Sequence, residues 1–223
     1  MYNCSADVSP TGSQMPRLVG LAYASKLYRE LDSLSHLTQF SNNGNEVAWG
    51  TIGNASCAEG MFWEAINAMG VLKTPVVMSI WDDGYGISVS NEIQVTKNNV
   101  GELLQGFQRQ GEGPGYEVLT ARGWNYPELL ATYEKAARWA REEHVPVIVH
   151  VTEVTQPQGH STSGSHERYK SKERLQWEED WDGIAQMRAW MLTNGVIEES
   201  ELTALEKSDK QQVRADNARN HPF

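Results

Sequence analysis

Two short segments carry most of the chemistry open to this chain. Gly53-Asn54-Ala55-Ser56-Cys57-Ala58-Glu59-Gly60 follows one apolar run and precedes a helical pattern, and Trp81-Asp82-Asp83-Gly84-Tyr85-Gly86-Ile87-Ser88 follows another apolar run. Each segment alone reads equally as an ordinary turn. If both runs are strands of one parallel sheet, however, the segments lie at carboxyl ends, where open α/β sheets bind ligands. Asn54 and Asp83 then each offer a side-chain oxygen, and a carbonyl can add a third. Such a set suits Mg2+, which takes few protein oxygens and completes its octahedron with water and ligand phosphates. Ser56 and Glu59 have the S-x-x-E spacing of a capping box, which predicts a helix start whose free N–H groups and dipole favour an anion. Neither GxGxxG nor GxxxxGK[ST] occurs, so dinucleotide and Walker-type sites lack their signatures. Gly111-Glu112-Gly113-Pro114-Gly115 leads into a strand, the wrong context for a phosphate loop.

These segments need a frame to hold them. Val47–Thr51, Pro75–Ile80 and Pro146–Val151 are apolar without clean alternation, as strands covered on both faces should be, and Tyr116–Ala121 is a fourth candidate. Met61, Ala65, Ala68, Met69 and Leu72 recur at helical spacing, as do Leu129, Tyr133, Ala136 and Ala140. Arg17–Leu31 and Val100–Phe107 are further helices. Strands alternating with helices predict an α/β fold with a mainly parallel sheet and helices on both faces. Thr155–Lys170 is a polar loop rich in Ser, Thr, Gly and His. Beyond it, Glu173–Asp182 is acidic with two Trp, the acidic runs near 178 and 198 read as solvated faces, and Ile184–Leu192 and Glu198–Arg214 read as helices. The predicted division is therefore a binding domain over residues 1–170 and a helical C-terminal arm over 171–223. The turn-rich opening reads as a start in mid-domain.

Composition narrows the function classes. The net charge of −10 opposes a nucleic-acid binder and docking on an anionic membrane, so neither is an expected partner. A phosphorylated ligand would need a metal, helix N-termini or another chain to supply positive potential. Cys4 and Cys57 are the only cysteines, which leaves one disulfide open but makes the reducing cytoplasm the default location. No stretch approaches 18 apolar residues. Cys57 at a helix start could carry a depressed pKa or act as a small buried filler.

GNASCAEGMFWEAINAMG and PVVMSIWDDGYGISVS resemble the thiamine diphosphate site of the alpha subunit of 2-oxo acid dehydrogenases, of pyruvate or branched-chain type. That family has Gly-Asp/Glu-Gly, then Glu-Gly, then Asn-Asn-x-Tyr-x-Ile-Ser. Here Gly53-Asn54-Ala55, Glu59-Gly60 and Asp82 to Ser88 stand in those places, and the offset 83 − 54 = 29 matches without a gap. SPTGSQMPRLVGLAYASK (9–26) resembles the segment supporting the aminopyrimidine ring. GPGYEVLTARGWN (113–125) and HVPVIVHVTEVTQPQGHSTSG (144–164) follow in family order. The resemblance covers about residues 5–190.

It implies a thiamine diphosphate-binding fold, with thiamine diphosphate and Mg2+ as cofactors. Asn54, Asp83 and the Tyr85 carbonyl would hold the metal. Ser9, Thr11, Gly53, Ala55, Ser56, Ile87 and His160 would bind the cofactor, Ile87 supporting it between its rings and His160 serving in catalysis. Ser161 matches a serine phosphorylated in mitochondrial relatives. His166 matches no family residue and reads as solvent-exposed. Trp81 stands where some relatives have an arginine, with a packing role as the alternative.

The departures bear on the charge of the site. Asn54 replaces the usual acid of the first triplet and Asp83 the usual second asparagine, so the metal shell keeps its net charge. Ala55 replaces a glycine, Gly159 stands where many relatives have a second His, and Gln156 replaces an arginine. The family's N-terminal portion and its beta subunit are not matched. The resemblance thus implies the alpha portion of a fused alpha-beta chain, inactive as an isolated fragment. Its implied partners are a beta subunit or beta half, the lipoyl domain of an acyltransferase component and a small 2-oxo acid, within an oligomer. A transketolase-type enzyme shares several of these motifs, but Tyr85 and the HSTSG loop follow the dehydrogenase pattern. A non-catalytic remnant of the same fold is the other alternative.

Overall fold

Four of the apolar runs pair into one all-parallel sheet in the computed structural model, which describes residues 9–160 and 165–220. The strands are β1 (Ala48–Gly53), β2 (Val76–Trp81), β5 (Glu117–Arg122) and β6 (Val147–Thr152), in the spatial order β1-β2-β6-β5. A small antiparallel pair, β3 (Tyr85–Gly86) with β4 (Val89–Ser90), follows β2. The helices are α1 (Gln14–Glu30), α2 (Gly60–Leu72), α3 (Asn91–Gln94), α4 (Val100–Leu104), α5 (Tyr126–Glu143), α6 (Lys172–Asp180), α7 (Gly183–Thr193) and α8 (Glu199–Asn220).

In the central strands β2 and β6 the lack of alternation has the expected cause, cover on both faces. The edge strand β1 corrects that expectation: Trp49, Thr51 and Gly53 on one of its faces are exposed. Along β2, Val76, Met78 and Ile80 join the core with Met15, Leu18 and Ala22 of α1 and Phe62, Ile66 and Met69 of α2. Val77 points the other way, into a second cluster with Val147, Val149, Ala136 and Ala140, the last two on α5. Successive residues of one strand therefore serve opposite layers, as the pleat requires. Gly50 permits the close approach of α1, because a Cβ there would lie 2.6 Å from Leu18 Cδ2.

Backbone pairing runs past the apolar residues at the end that matters for function. The register pairs Ile52 with Ile80 and Gly53 with Trp81, and the Asn54 N–H still donates to the Trp81 carbonyl at 3.0 Å. Ladder bonds do not depend on side-chain polarity, so β1 outlasts its apolar run and carries Asn54 to the sheet edge.

Three local expectations are corrected. Ser56 does not cap a helix: Ala55–Ala58 forms a 3-10 turn, and α2 begins at Gly60 with Glu59 as its N-cap and no side-chain cap bond. The tighter turn puts Cys57 into the core. The acidic run near 178 is no solvated face throughout, because Glu178 of α6 is fully buried against Lys170 and Arg174. His166 is not solvent-exposed but half-buried; a Cβ on Gly159 would lie 2.4 Å from its Nδ1, so that glycine makes room for it.

The first compact unit extends through Gly183 and the second begins at Ile184, where the sequence placed a division after residue 170. The buried pair between Lys170 and Glu178 belongs to the first unit. In the second unit Arg188 bridges Glu199 and Glu206 at 2.8 and 2.9 Å. Cys4 and Ser161 lie outside the described residues. Among the described residues, no helix is long and apolar enough to cross a membrane.

Candidate metal and cofactor site

The carboxyl ends of β1 and β2 open into a cleft of about 650 Å³. Its lining brings together Thr11, Gly53, Asn54, Ala55, Ser56, Asp83, Tyr85, Ile87 and His160, joined by Gln14, Trp81, Gln94 and Gln156. Ser9 is exposed and is not among the lining residues. Among the described residues no Lys or Arg lines the cleft, so a phosphorylated ligand there would depend on a cation and on backbone N–H groups for its positive potential.

Asn54 is buried, and its amide is fully engaged on the nitrogen side. Nδ2 donates to the Tyr85 carbonyl at 3.1 Å and to Asn91 Oδ1 at 2.8 Å. That leaves Oδ1 without a donor among the described residues. Asp83 accepts the Tyr85 N–H on Oδ1 at 3.0 Å. Burial pushes the Asp83 carboxyl above the usual carboxylate range, outweighing the Tyr85 N–H and the Lys170 and Arg174 cations. A desolvated carboxylate beside an unpartnered amide oxygen and a backbone carbonyl is an all-oxygen set short of positive charge. Such a set fits a small hard dication.

Asp82 does not share this role. It turns inward, with Oδ1 accepting from Gly84 N at 2.9 Å and Asn91 Nδ2 at 3.0 Å, and Oδ2 lying 2.8 Å from His150 Nε2. Burial alone would raise its pKa. The His150, Gly84 and Asn91 bonds win, and the carboxyl is held below the usual range. A second, polar cavity of about 430 Å³ lies on this side of the turn, lined by Asp82, Asn91, His150 and Glu153 among others.

The turn between β2 and β3 is clamped from outside. Arg174 donates to the Asp83 carbonyl at 2.6 Å, while Lys170 and Arg174 lie 5.1 and 5.5 Å from the centre of the Tyr85 ring. On the cleft side, Ala55 packs against Gly86, where a Cβ would come within 2.7 Å of the Ala55 methyl. The extra methyl at position 55 is thus matched by the missing one at 86. Ile87 has φ of +58° and remains 60% exposed in the cleft. A β-branched residue in the left-handed region is strained, and such strain concentrates at functional positions. Cys57 is a buried filler, its thiol pushed up by burial and then by Asp82, so it is no nucleophile.

Several residues here escaped the sequence reading. Asn91, Arg174 and Gln94 lie outside the quoted segments, and His150, inside the segment 144–164, carried no assigned role; all four meet the site only through folding. Among the described residues, no cluster of three or more His, Cys, Asp or Glu forms a metal centre.

The profile of the dehydrogenase E1 component family matches residues 4–221. The chain is 26% identical over 203 residues to the pyruvate dehydrogenase E1 component subunit alpha of Rickettsia bellii, covering 91% of this chain and 55% of that protein. It is also 26% identical over 210 residues to the mitochondrial 2-oxoisovalerate dehydrogenase subunit alpha of Homo sapiens, covering 92% and 41%. The chain thus spans about half the length of the curated relatives it matches. A transketolase structure from Campylobacter jejuni aligns over 78% of this chain and 25% of that one, with 17% identity and a TM-score of 0.49.

Proposed function

The chain belongs to the dehydrogenase E1 component family, and from that premise we propose that it is the alpha portion of a thiamine diphosphate-dependent 2-oxo acid dehydrogenase. The reaction is oxidative decarboxylation of a small 2-oxo acid with reductive acylation of a lipoyl group on an acyltransferase component. The observation that carries this reading is the convergence of Asn54 and Asp83, from adjacent parallel strands, with the Tyr85 carbonyl on one cleft. Thiamine diphosphate, when bound, supplies the nucleophilic carbon and the electron sink for loss of CO2.

The residues of this chain hold and orient. Asn54 Oδ1, the Asp83 carboxylate and the Tyr85 carbonyl would hold Mg2+, and the metal would offset the charge of a diphosphate in a cleft that no Lys or Arg lines among the described residues. Gly53, Ala55 and Ser56 offer donors to the phosphate oxygens. Thr11, which lines the cleft, would support the aminopyrimidine ring together with the segment that begins at Ser9, and Ile87 would support the cofactor between its rings. His160, which lines the same cleft, would serve the bound cofactor in catalysis. A beta subunit or fused beta half completes the site in an oligomer located in the cytoplasm.

Thermal unfolding of the full-length protein with its beta portion, in Mg2+ alone, thiamine diphosphate alone and both, tests this. Stabilisation should require both ligands and reach about 2.7 kcal/mol at a hundredfold excess over Kd, and Asp83→Ala should abolish it. An equal shift with thiamine diphosphate in a metal chelator, or no shift with both ligands, overturns the reading.

A further inference from the structure

An asparagine is an ambiguous metal ligand. Its amide can turn either the oxygen or the NH2 group toward the cleft, and only the oxygen attracts a cation. A carboxylate has no such ambiguity, so a site using Asn54 needs something to fix the orientation.

The hydrogen bonds beneath Asn54 do this in sequence. Asp82 accepts from Gly84 N at 2.9 Å and sits 2.8 Å from His150 Nε2, which donates because an ionised carboxylate can only accept. Asn91 must therefore turn its NH2 group to Asp82, at 3.0 Å, which points its oxygen at Asn54. Asn54 must in turn present its NH2 to Asn91, at 2.8 Å, and the same nitrogen meets the Tyr85 carbonyl at 3.1 Å. All of Asn54, Asp82, Asn91 and His150 are buried, so water offers little alternative partnering. Reversing the Asn54 amide would set its oxygen against the Tyr85 and Asn91 oxygens at once.

We propose that Asn91 is a positioning residue that relays the fixed polarity of Asp82 to Asn54, so that Asn54 presents its carbonyl oxygen to a cation in the cleft. This rests on the metal reading above. Asn91 touches neither metal nor cofactor and acts through Asn54 alone. Partners of metal ligands of this kind commonly alter affinity by roughly ten- to a hundredfold when removed.

The test is a double-mutant cycle on Mn2+ affinity, read by electron paramagnetic resonance on the full-length protein with its beta portion and saturating thiamine diphosphate. Asn91→Leu should weaken Mn2+ binding by about tenfold or more. In an Asn54→Ala background the same change should have less than about a twofold further effect, because the residue it serves is gone. Asn91→Ala is measured alongside, with unfolding curves without ligand, so that a folding defect in one variant does not decide the result. Unchanged Mn2+ affinity in Asn91→Leu and Asn91→Ala overturns the positioning role, as does a full additive loss in the Asn54→Ala background. Absence of thiamine diphosphate-dependent Mn2+ binding in the unsubstituted protein overturns the metal reading itself, and the positioning role with it.

Discussion

Lys170 Nζ lies 2.7 and 2.9 Å from the two carboxylate oxygens of Glu178, and neither side chain meets solvent. Arg174 adds a third bond to Glu178 at 2.8 Å and reaches on to the Asp83 carbonyl. This buried group ties α6 to the turn that carries Asp83 and Tyr85. Removing one member of a buried ion pair strands the other charge, at a cost of about 3–5 kcal/mol. Glu178→Ala should therefore lower unfolding free energy by that amount in urea titrations. A loss under about 1 kcal/mol, the range of surface pairs, would contradict the buried-pair account.

His144 ends α5 in a left-handed conformation, φ +51° and ψ +42°, with a buried Nε2 that has no hydrogen-bond partner among the described residues. Burial first, and the Arg29 cation second, hold its pKa below the usual histidine range. The unfolded chain therefore takes up the proton first. Stability from this group is complete above about pH 6.5 and is lost as pH falls from there toward the folded pKa. His144→Asn keeps a residue tolerant of positive φ and removes the titration. Between pH 7.5 and 5.5, the variant should lose less stability than the parent in paired urea titrations; parallel losses would refute the assignment.

Ile87 combines positive φ with high exposure. A non-glycine residue there costs about 1–3 kcal/mol, against about 0.5–1 kcal/mol of backbone entropy for glycine. Ile87→Gly should stabilise the apo protein by about 1 kcal/mol while weakening thiamine diphosphate binding. Calorimetric unfolding and a binding titration check both signs, and lower stability with unchanged affinity would show that Ile87 serves packing instead.

Two glycines make an opposed pair. A Cβ on Gly101 of α4 would lie 2.3 Å from His150 Nδ1, whereas a Cβ on Gly20 of α1 meets nothing within 4 Å. Gly101→Ala should destabilise by about 1–3 kcal/mol through overpacking against the histidine that holds Asp82. Gly20→Ala should stabilise by about 1 kcal/mol through helix propensity. Denaturant midpoints moving in the same direction for both would contradict these environments.

The sequence by itself determined the layers and the ends of the strands. Continuous apolar runs such as Val76–Ile80 require cover on both faces, and the helical repeats supply it, so a parallel sheet with helices on both sides follows from burial alone. The same logic put Asn54 and Asp83 at neighbouring carboxyl ends, because residues just beyond a buried run must leave the sheet there. The family resemblance singled out Asp83, but only the tertiary structure supplied the physical reason why it and not Asp82 faces the cleft. Asp82 and Asp83 are chemically identical in the sequence, and they part only because His150 on β6 and Asn91 on α3 reach one of them. It also decided that Glu178, inside a run of acids, is buried: Arg174 is its helical i,i+4 neighbour, but the buried Lys170 that meets it lies outside α6. Periodicity records how a segment meets the core as a whole. The direction of a single hydrogen bond depends on a partner far away in the chain, and that partner is fixed only when the chain has folded.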